Sequence, residues 1–130
     1  MCLKRSGVTK ASAVEWLAAS PSLHFDLHRA VAFGDQPSGN DGTLTRFVQR
    51  GMPFVSVAHC ERETPEHLRA WHVGGMEQGT AAVVRRMLPM LHAAAAADFS
   101  LPADGECLAQ QLLPVCAAVR RSDLSSAAKL

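Results

Sequence analysis

Two aspartates, Asp35 and Asp41, offer the clearest chemistry in this sequence. In Phe33-Gly34-Asp35-Gln36-Pro37-Ser38-Gly39-Asn40-Asp41 an apolar run, Ala30-Val31-Ala32-Phe33, ends in Gly34, and both carboxylates follow within a short polar loop. Two carboxylates facing one crevice repel each other unless a cation or a proton intervenes. A hard divalent ion such as Mg²⁺ is therefore the natural guest.

The flanking elements decide where those carboxylates point. Leu44, Phe47 and Val48 follow the loop at helical spacing, so the segment reads as strand, acidic loop, helix. That order sets Asp35 at the carboxyl edge of a strand, where open α/β sheets hold their ligands. Asn40 or Asp41 starts the helix, which is expected to run to about Arg50 with Gly51 as its C-cap. Pro53 to Ala58 is a second strand, rich in β-branched residues and short enough to be buried on both faces.

The remaining chain reads as mostly helical. Gly7-Val8-Thr9-Lys10 makes a turn and starts a helix, capped by Thr9 or Ser12, with Ala13, Val14, Trp16 and Leu17 as its apolar face and Ser20-Pro21 as its end. Leu68 to Val73 is expected to hold a short third strand. Thr80 to His92 and Glu106 to Arg121 are expected as helices, each with an internal proline that should kink or break it. The run Ala93 to Ala97 is low-complexity, Phe99 to Gly105 reads as a linker, and Ser122 to Leu130 as a frayed end. The expected class is α/β: a partial Rossmann-like parallel sheet of two or three strands flanked by helices, with a helical carboxyl-terminal extension. Residues 1–97 form the expected core, and residues 98–130 the linker, amphipathic helix and tail.

Composition narrows the function classes. At 130 residues, 48% apolar and net charge +1, the chain suits one globular domain. Lys and Arg are dispersed, which argues against nucleic acid. The pairs Arg85-Arg86 and Arg120-Arg121 read as solvated helix faces. No apolar run reaches the roughly 20 residues of a membrane span. Met1-Cys2-Leu3-Lys4-Arg5 leads into polar residues and not into a signal-peptide core, so a cytoplasmic, soluble protein is the expectation. Cys2, Cys60, Cys107 and Cys116 form no Cys-x-x-Cys pair, and Cys107 and Cys116 read as small buried hydrophobes. His24, His28, His67, His72 and His92 show no metal spacing among themselves. His59 reads as a loop histidine next to the same crevice, Glu61-Arg62-Glu63 as a solvated loop, and Trp16 and Trp71 as packing residues.

Two motifs resemble those of the haloacid dehalogenase-like (HAD) hydrolase superfamily, in its sugar-phosphatase and phosphomannomutase-like branch. Gly7-Val8-Thr9-Lys10 with Ala11-Ser12-Ala13 is similar to the family's lysine motif at a helix start. Gly34-Asp35 through Asn40-Asp41 is similar to its acidic metal motif, and the spacing from Lys10 to Asp35 suits the helix and loop between them. The likeness covers about residues 7–84. It implies an Mg²⁺ ion held by Asp35 and Asp41, directly or through water, with Asn40 supporting the loop or the phosphate. It implies that Lys10 neutralises charge on the nucleophile and the phosphoryl group, and that the substrate is a small phosphate monoester such as a sugar phosphate. Phosphoryl transfer depends mainly on positioning and charge stabilisation, which one cation and one ammonium group supply.

The family's nucleophile motif, Asp-x-Asp followed by Gly-Thr or Gly-Val, has no match here. Asp41-Gly42-Thr43 copies only its second half and puts Gly39 at the nucleophile position; Asp26-Leu27-His28 has His in third place. The chain therefore resembles the carboxyl-terminal half of such an enzyme and is expected to be inactive alone. The alternative expectation is a non-enzymatic α/β interaction module, a homodimer for example, that docks through a sheet edge or a helix stripe.

Overall fold

The computed structural model describes residues 7–74, 79–97 and 105–127; at 94–97, 105–108 and 123–127 it describes the backbone only. The expectations for Met1 to Gly7 (beyond Gly7 itself), the Phe99 end of the linker, the Leu108 and Cys107 side chains and the last three residues lie outside that description. Helix α1 spans Lys10–Ala19. Strands β1 (Ala32–Gly34) and β2 (Phe54–Ser56) pair in parallel, with Ala32 opposite Phe54 and Gly34 opposite Ser56. Helix α2 (Gly42–Thr45) lies between them, and α3 (Thr80–Ala97) and α4 (Gly105–Ala127) follow. The protein is thus mixed α/β and mostly helical, with a two-stranded parallel sheet.

The sheet divides two apolar clusters. On one side Ala32 and Phe54 pack with Ala11 of α1 and Leu44 of α2, together with Phe47, Met52 and Leu68. On the other, Val55, Val57 and Val73 meet Val83 and Met87 of α3 and Leu112, Val115, Cys116 and Val119 of α4. Strand alternation explains the division, because Phe54 and Val55 point to opposite faces. β2 is buried along its whole length, as its apolar sequence demands.

Several expected elements differ. The third strand is reduced to one parallel bridge from His72 to Ser56, and Glu66–Trp71 form a 3-10 helix instead. Glu66, Leu68, Arg69 and Ala70 favour helical turns over strands, and the i, i+3 spacing puts Leu68 and Trp71 on one side. The helix expected from Asn40 or Asp41 to Arg50 is only α2 plus a 3-10 turn, Val48–Arg50. Gly42, Thr43, Thr45 and Val48 propagate a helix poorly. Gly51 does close this segment, at φ +95°. In α1 Ala11 is buried with Val14 half-buried beside the same cluster, but Ala13 is exposed and Trp16 is 66% exposed, so the expected apolar face is packed only in part. Apolar residues lie around most of α1, and tertiary contact selects the face.

Both prolines are tolerated. α3 runs through Pro89 to Ala97 and α4 through Pro114 to Ala127, past the expected ends. Pro89 with Arg85, and Pro114 with Gln110, are exposed, so water can serve the carbonyl that loses its donor. Arg120 is not a solvated helix residue: it donates to the carbonyls of His72, Arg69 and Ala70 and so ties α4 to the end of the Glu66–Trp71 turn. Arg86 likewise contacts Ser122 across the α3–α4 pair. Among the described residues no helix is long and apolar enough to cross a membrane.

Candidate functional site

The acidic loop folds around the backbone of Gln36. The Gln36 carbonyl accepts from Gly39 N at 2.9 Å and from Asp41 N at 3.0 Å. In return Gln36 N donates to Asp41 Oδ2 at 3.0 Å. This reciprocal pair closes the loop and turns the Asp41 side chain back under β1. Pro37, whose φ is fixed, is buried inside the turn. Asn40 Nδ2 donates to Gln36 Oε1 at 3.3 Å, so Asn40 braces the loop.

Gly34 is needed where the chain places it. A Cβ there would lie 2.5 Å from Asp41 Oδ2 and 2.7 Å from the Phe54 ring. With no side chain on Gly34, the Asp41 carboxylate sits against the end of β1 and is 1% exposed.

Lys10 meets this carboxylate. Its Nζ donates to Asp41 Oδ1 across 31 positions of sequence. Thr9 caps α1 through a reciprocal capping box: Thr9 Oγ1 accepts from Ser12 N at 3.1 Å. The helix therefore starts at Lys10, and a cation occupies its positive end. That placement costs about 0.3–1 kcal/mol unless a nearby anion offsets it. Asp41 supplies the anion. Burial opposes ionisation of Asp41, but the Lys10 bond, the Gln36 N–H and the Lys10 charge outweigh it and hold Asp41 below the ordinary carboxylate range. Glu15 of α1 holds the other side of the acidic segment, accepting from Arg46 at 2.5 Å with Arg50 at 3.8 Å.

Asp35, by contrast, is exposed and lines a cleft of about 520 Å³ at the carboxyl ends of β1 and β2. Gln36, Ser38, His59, Glu63 and Thr80 line it as well. The two expected metal carboxylates are thus differently placed. Asp41 has one oxygen on Lys10 and the other on Gln36 N, behind the wall; Asp35 faces the open space. Oxygen groups predominate among the polar lining, a donor set that suits a hard cation with several retained waters. Among the described residues no group of three His, Cys, Asp or Glu side chains converges as a protein-only metal site. Of the two expected metal carboxylates, Asp35 is the one left open to the cleft.

His59 does face the crevice, and Glu63 joins it although it reads as a solvated residue in sequence. Their position just after β2 was the available signal, since residues there share the sheet edge with Asp35. Ser38 Oγ donates to the Glu63 carbonyl at 2.6 Å and joins the two walls. Cys60 is exposed beside them, and Cys116 is buried as expected. The other described cluster is buried: Ser56, Thr64 and His72 meet behind the cleft.

The fold and site define a mixed α/β protein with a polar cleft at the sheet's carboxyl edge. No family model, curated protein or solved structure matches the chain.

Proposed function

We propose that this chain is the carboxyl-terminal, charge-handling part of a HAD-like phosphatase core, with β1 and β2 belonging to a Rossmann-like sheet. The observation that carries this reading is the contact between Lys10 and the buried Asp41 carboxylate beneath the Asp35 cleft. Mg²⁺, when bound, neutralises phosphate charge. Asp35 would hold it, and Lys10, held by Asp41 behind the Asp35 wall, would supply a second positive charge near the phosphoryl group. Ser38, Gln36 and Thr80 offer donors to the substrate's phosphate or hydroxyl oxygens. A sugar phosphate fits the polar lining and the cleft volume. No residue of the chain matches the attacking aspartate, so the chain alone is expected to bind and not to hydrolyse.

The test is Mn²⁺ binding in place of Mg²⁺, read as proton relaxation enhancement, with and without inorganic phosphate. Asp35→Ala should abolish binding, and Asp26→Ala, outside the cleft lining, should leave it unchanged. Equal binding by wild type and Asp35→Ala, or none by either, overturns the reading. A second reading, a non-enzymatic interaction module, is favoured by the exposure of Trp16 and Val8 at 66% and 56%. Sedimentation of wild type and Trp16→Lys decides it: a dimer that dissociates in the variant supports the module.

A further inference from the structure

The buried Ser56–Thr64–His72 cluster constrains which imidazole nitrogen can carry a proton. Ala58 N donates to Ser56 Oγ at 3.3 Å. Ser56 Oγ and Thr64 Oγ1 are 2.6 Å apart, and Thr64 Oγ1 lies 3.2 Å from His72 Nδ1. Ser56 Oγ itself is 3.5 Å from Nδ1. A backbone N–H only donates, so Ser56 Oγ accepts from Ala58 and its own hydrogen must go onward. It passes to Thr64 Oγ1 or to Nδ1, and in either order one of the two hydroxyl hydrogens ends on Nδ1. If Nδ1 carried a proton, one of the two hydroxyl hydrogens would have no acceptor within the cluster, in a site with Ser56 at 0% and Thr64 at 1% exposure.

This cluster spans the segment that forms one wall of the cleft. Thr64 ends the turn Glu61–Glu63, and residues 57–63 between Ser56 and Thr64 carry His59 and Glu63. The same wall is tied to the acidic loop by Ser38 Oγ on the Glu63 carbonyl. His72 is thereby linked to the cleft wall through the Thr64 hydroxyl and the adjoining backbone of Glu63.

We propose that His72 is a positioning residue that holds the 57–64 wall of the cleft only while Nδ1 is an acceptor, so that protonating it releases the wall. The inference does not depend on the phosphatase reading, because it concerns the wall and not what the cleft takes. The charged groups facing His72 are Arg120 from α4, which also donates to the His72 carbonyl, and Glu61 and Glu63 from the wall itself. Burial, then Arg120, hold the imidazole below its ordinary range against the opposing pull of the two glutamates. His72 is therefore neutral near neutrality and is protonated only below about pH 6.5, the ordinary histidine value. With both nitrogens protonated, one of the two hydroxyl hydrogens is left without an acceptor in the cluster, and the new cation attracts Glu61 and Glu63, which would swing the turn.

Nitrogen NMR of the full chain across pH 7.5 to 4.5 tests this. The expected result is an unprotonated Nδ1 at pH 7.5. Ala58 and Thr64 amide signals should move with the His72 titration, and Ala58 should lose exchange protection after correction for intrinsic rates. In His72→Asn the amide oxygen replaces Nδ1 as a non-titrating acceptor, and the wall signals should become independent of pH in this window. In Thr64→Val the shorter link is lost and Ser56 Oγ keeps only its 3.5 Å approach to Nδ1, so His72 still titrates but Ala58 follows it only weakly. A proton on Nδ1 at pH 7.5 overturns the proposal. So does a wall that titrates alike in wild type and Thr64→Val, a comparison that stands even if His72→Asn does not fold.

Discussion

The carboxylate of Asp41 occupies the space that a side chain on Gly34 would need, with Oδ2 only 2.5 Å from the position of such a Cβ. Strand end and acidic loop are therefore built as one unit, and the absence of an atom at Gly34 is what lets the Lys10 contact form.

Gly34→Ala should push Asp41 off β1. Contact with the Phe54 ring at 2.7 Å closes the other escape, so the whole loop must shift. The expected loss is about 1–3 kcal/mol in urea unfolding. Loss of the Lys10–Asp41 contact should be visible as a changed Lys10 ammonium signal by NMR. An unchanged midpoint and signal would show that the loop is looser than described.

Lys10→Met should make the protein more sensitive to acid. The Asp41 carboxyl is held below its ordinary value in the fold, so its contribution is present above the unfolded value near 3.9 and is lost as pH falls through the folded value. Without Lys10, burial is less well opposed and the folded value rises. Midpoints measured by circular dichroism from pH 7 to 2 should show acid unfolding begin at higher pH in the variant. Lys10 is half-exposed, so the cost at pH 7 should stay within about 1–2 kcal/mol.

Gly51→Ala should be costly for two separate reasons. Gly51 has φ +95°, and its Cβ would lie 2.2 Å from His28 Nδ1. His28→Ala in the same chain should relieve the contact and leave the backbone strain. A double-mutant cycle in urea should therefore show coupling, with a residual loss of about 1 kcal/mol. Complete rescue would locate the whole cost in the ring contact.

Arg120→Met should lower stability by about 1–2 kcal/mol, since carbonyls of His72, Arg69 and Ala70 lose a charged donor. Arg121→Met, its exposed neighbour, should stay within about 0.5 kcal/mol. Thermal unfolding of both variants gives the comparison.

Cys60 and Cys116 should differ in reactivity. Burial pushes the Cys116 thiol up to about 11, whereas Cys60 is exposed. A thiol reagent at pH 8, followed by peptide mass mapping, should label Cys60 in the folded protein and Cys116 only after unfolding. Early labelling of Cys116 would mean that α4 leaves its place on Val55 and Val57.

Local patterns were legible wherever neighbours in sequence do the work. Thr9 at the start of α1, Gly51 at the end of the acidic helix segment, and the buried run in β2 follow from capping, positive φ and β-branching. Lys10 was expected opposite both carboxylates, and it meets one of them, Asp41. The partial third strand and the exposed side of Trp16 were not legible, because short helical turns and weakly sided helices take their final form from what packs on them.

By itself, then, the sequence determined an α/β chain with an acidic loop at a strand's carboxyl end and a lysine at a helix start. Only the tertiary structure decided that Asp41 is buried on Lys10 while Asp35 faces the cleft. It also decided that Glu63 and His59 form the opposite wall, that Arg120 caps a distant turn, and that His72 stands behind that wall with Ser56 and Thr64. Each of these depends on which groups share one desolvated space, and residues 8 to 51 positions apart carry no local signal of that.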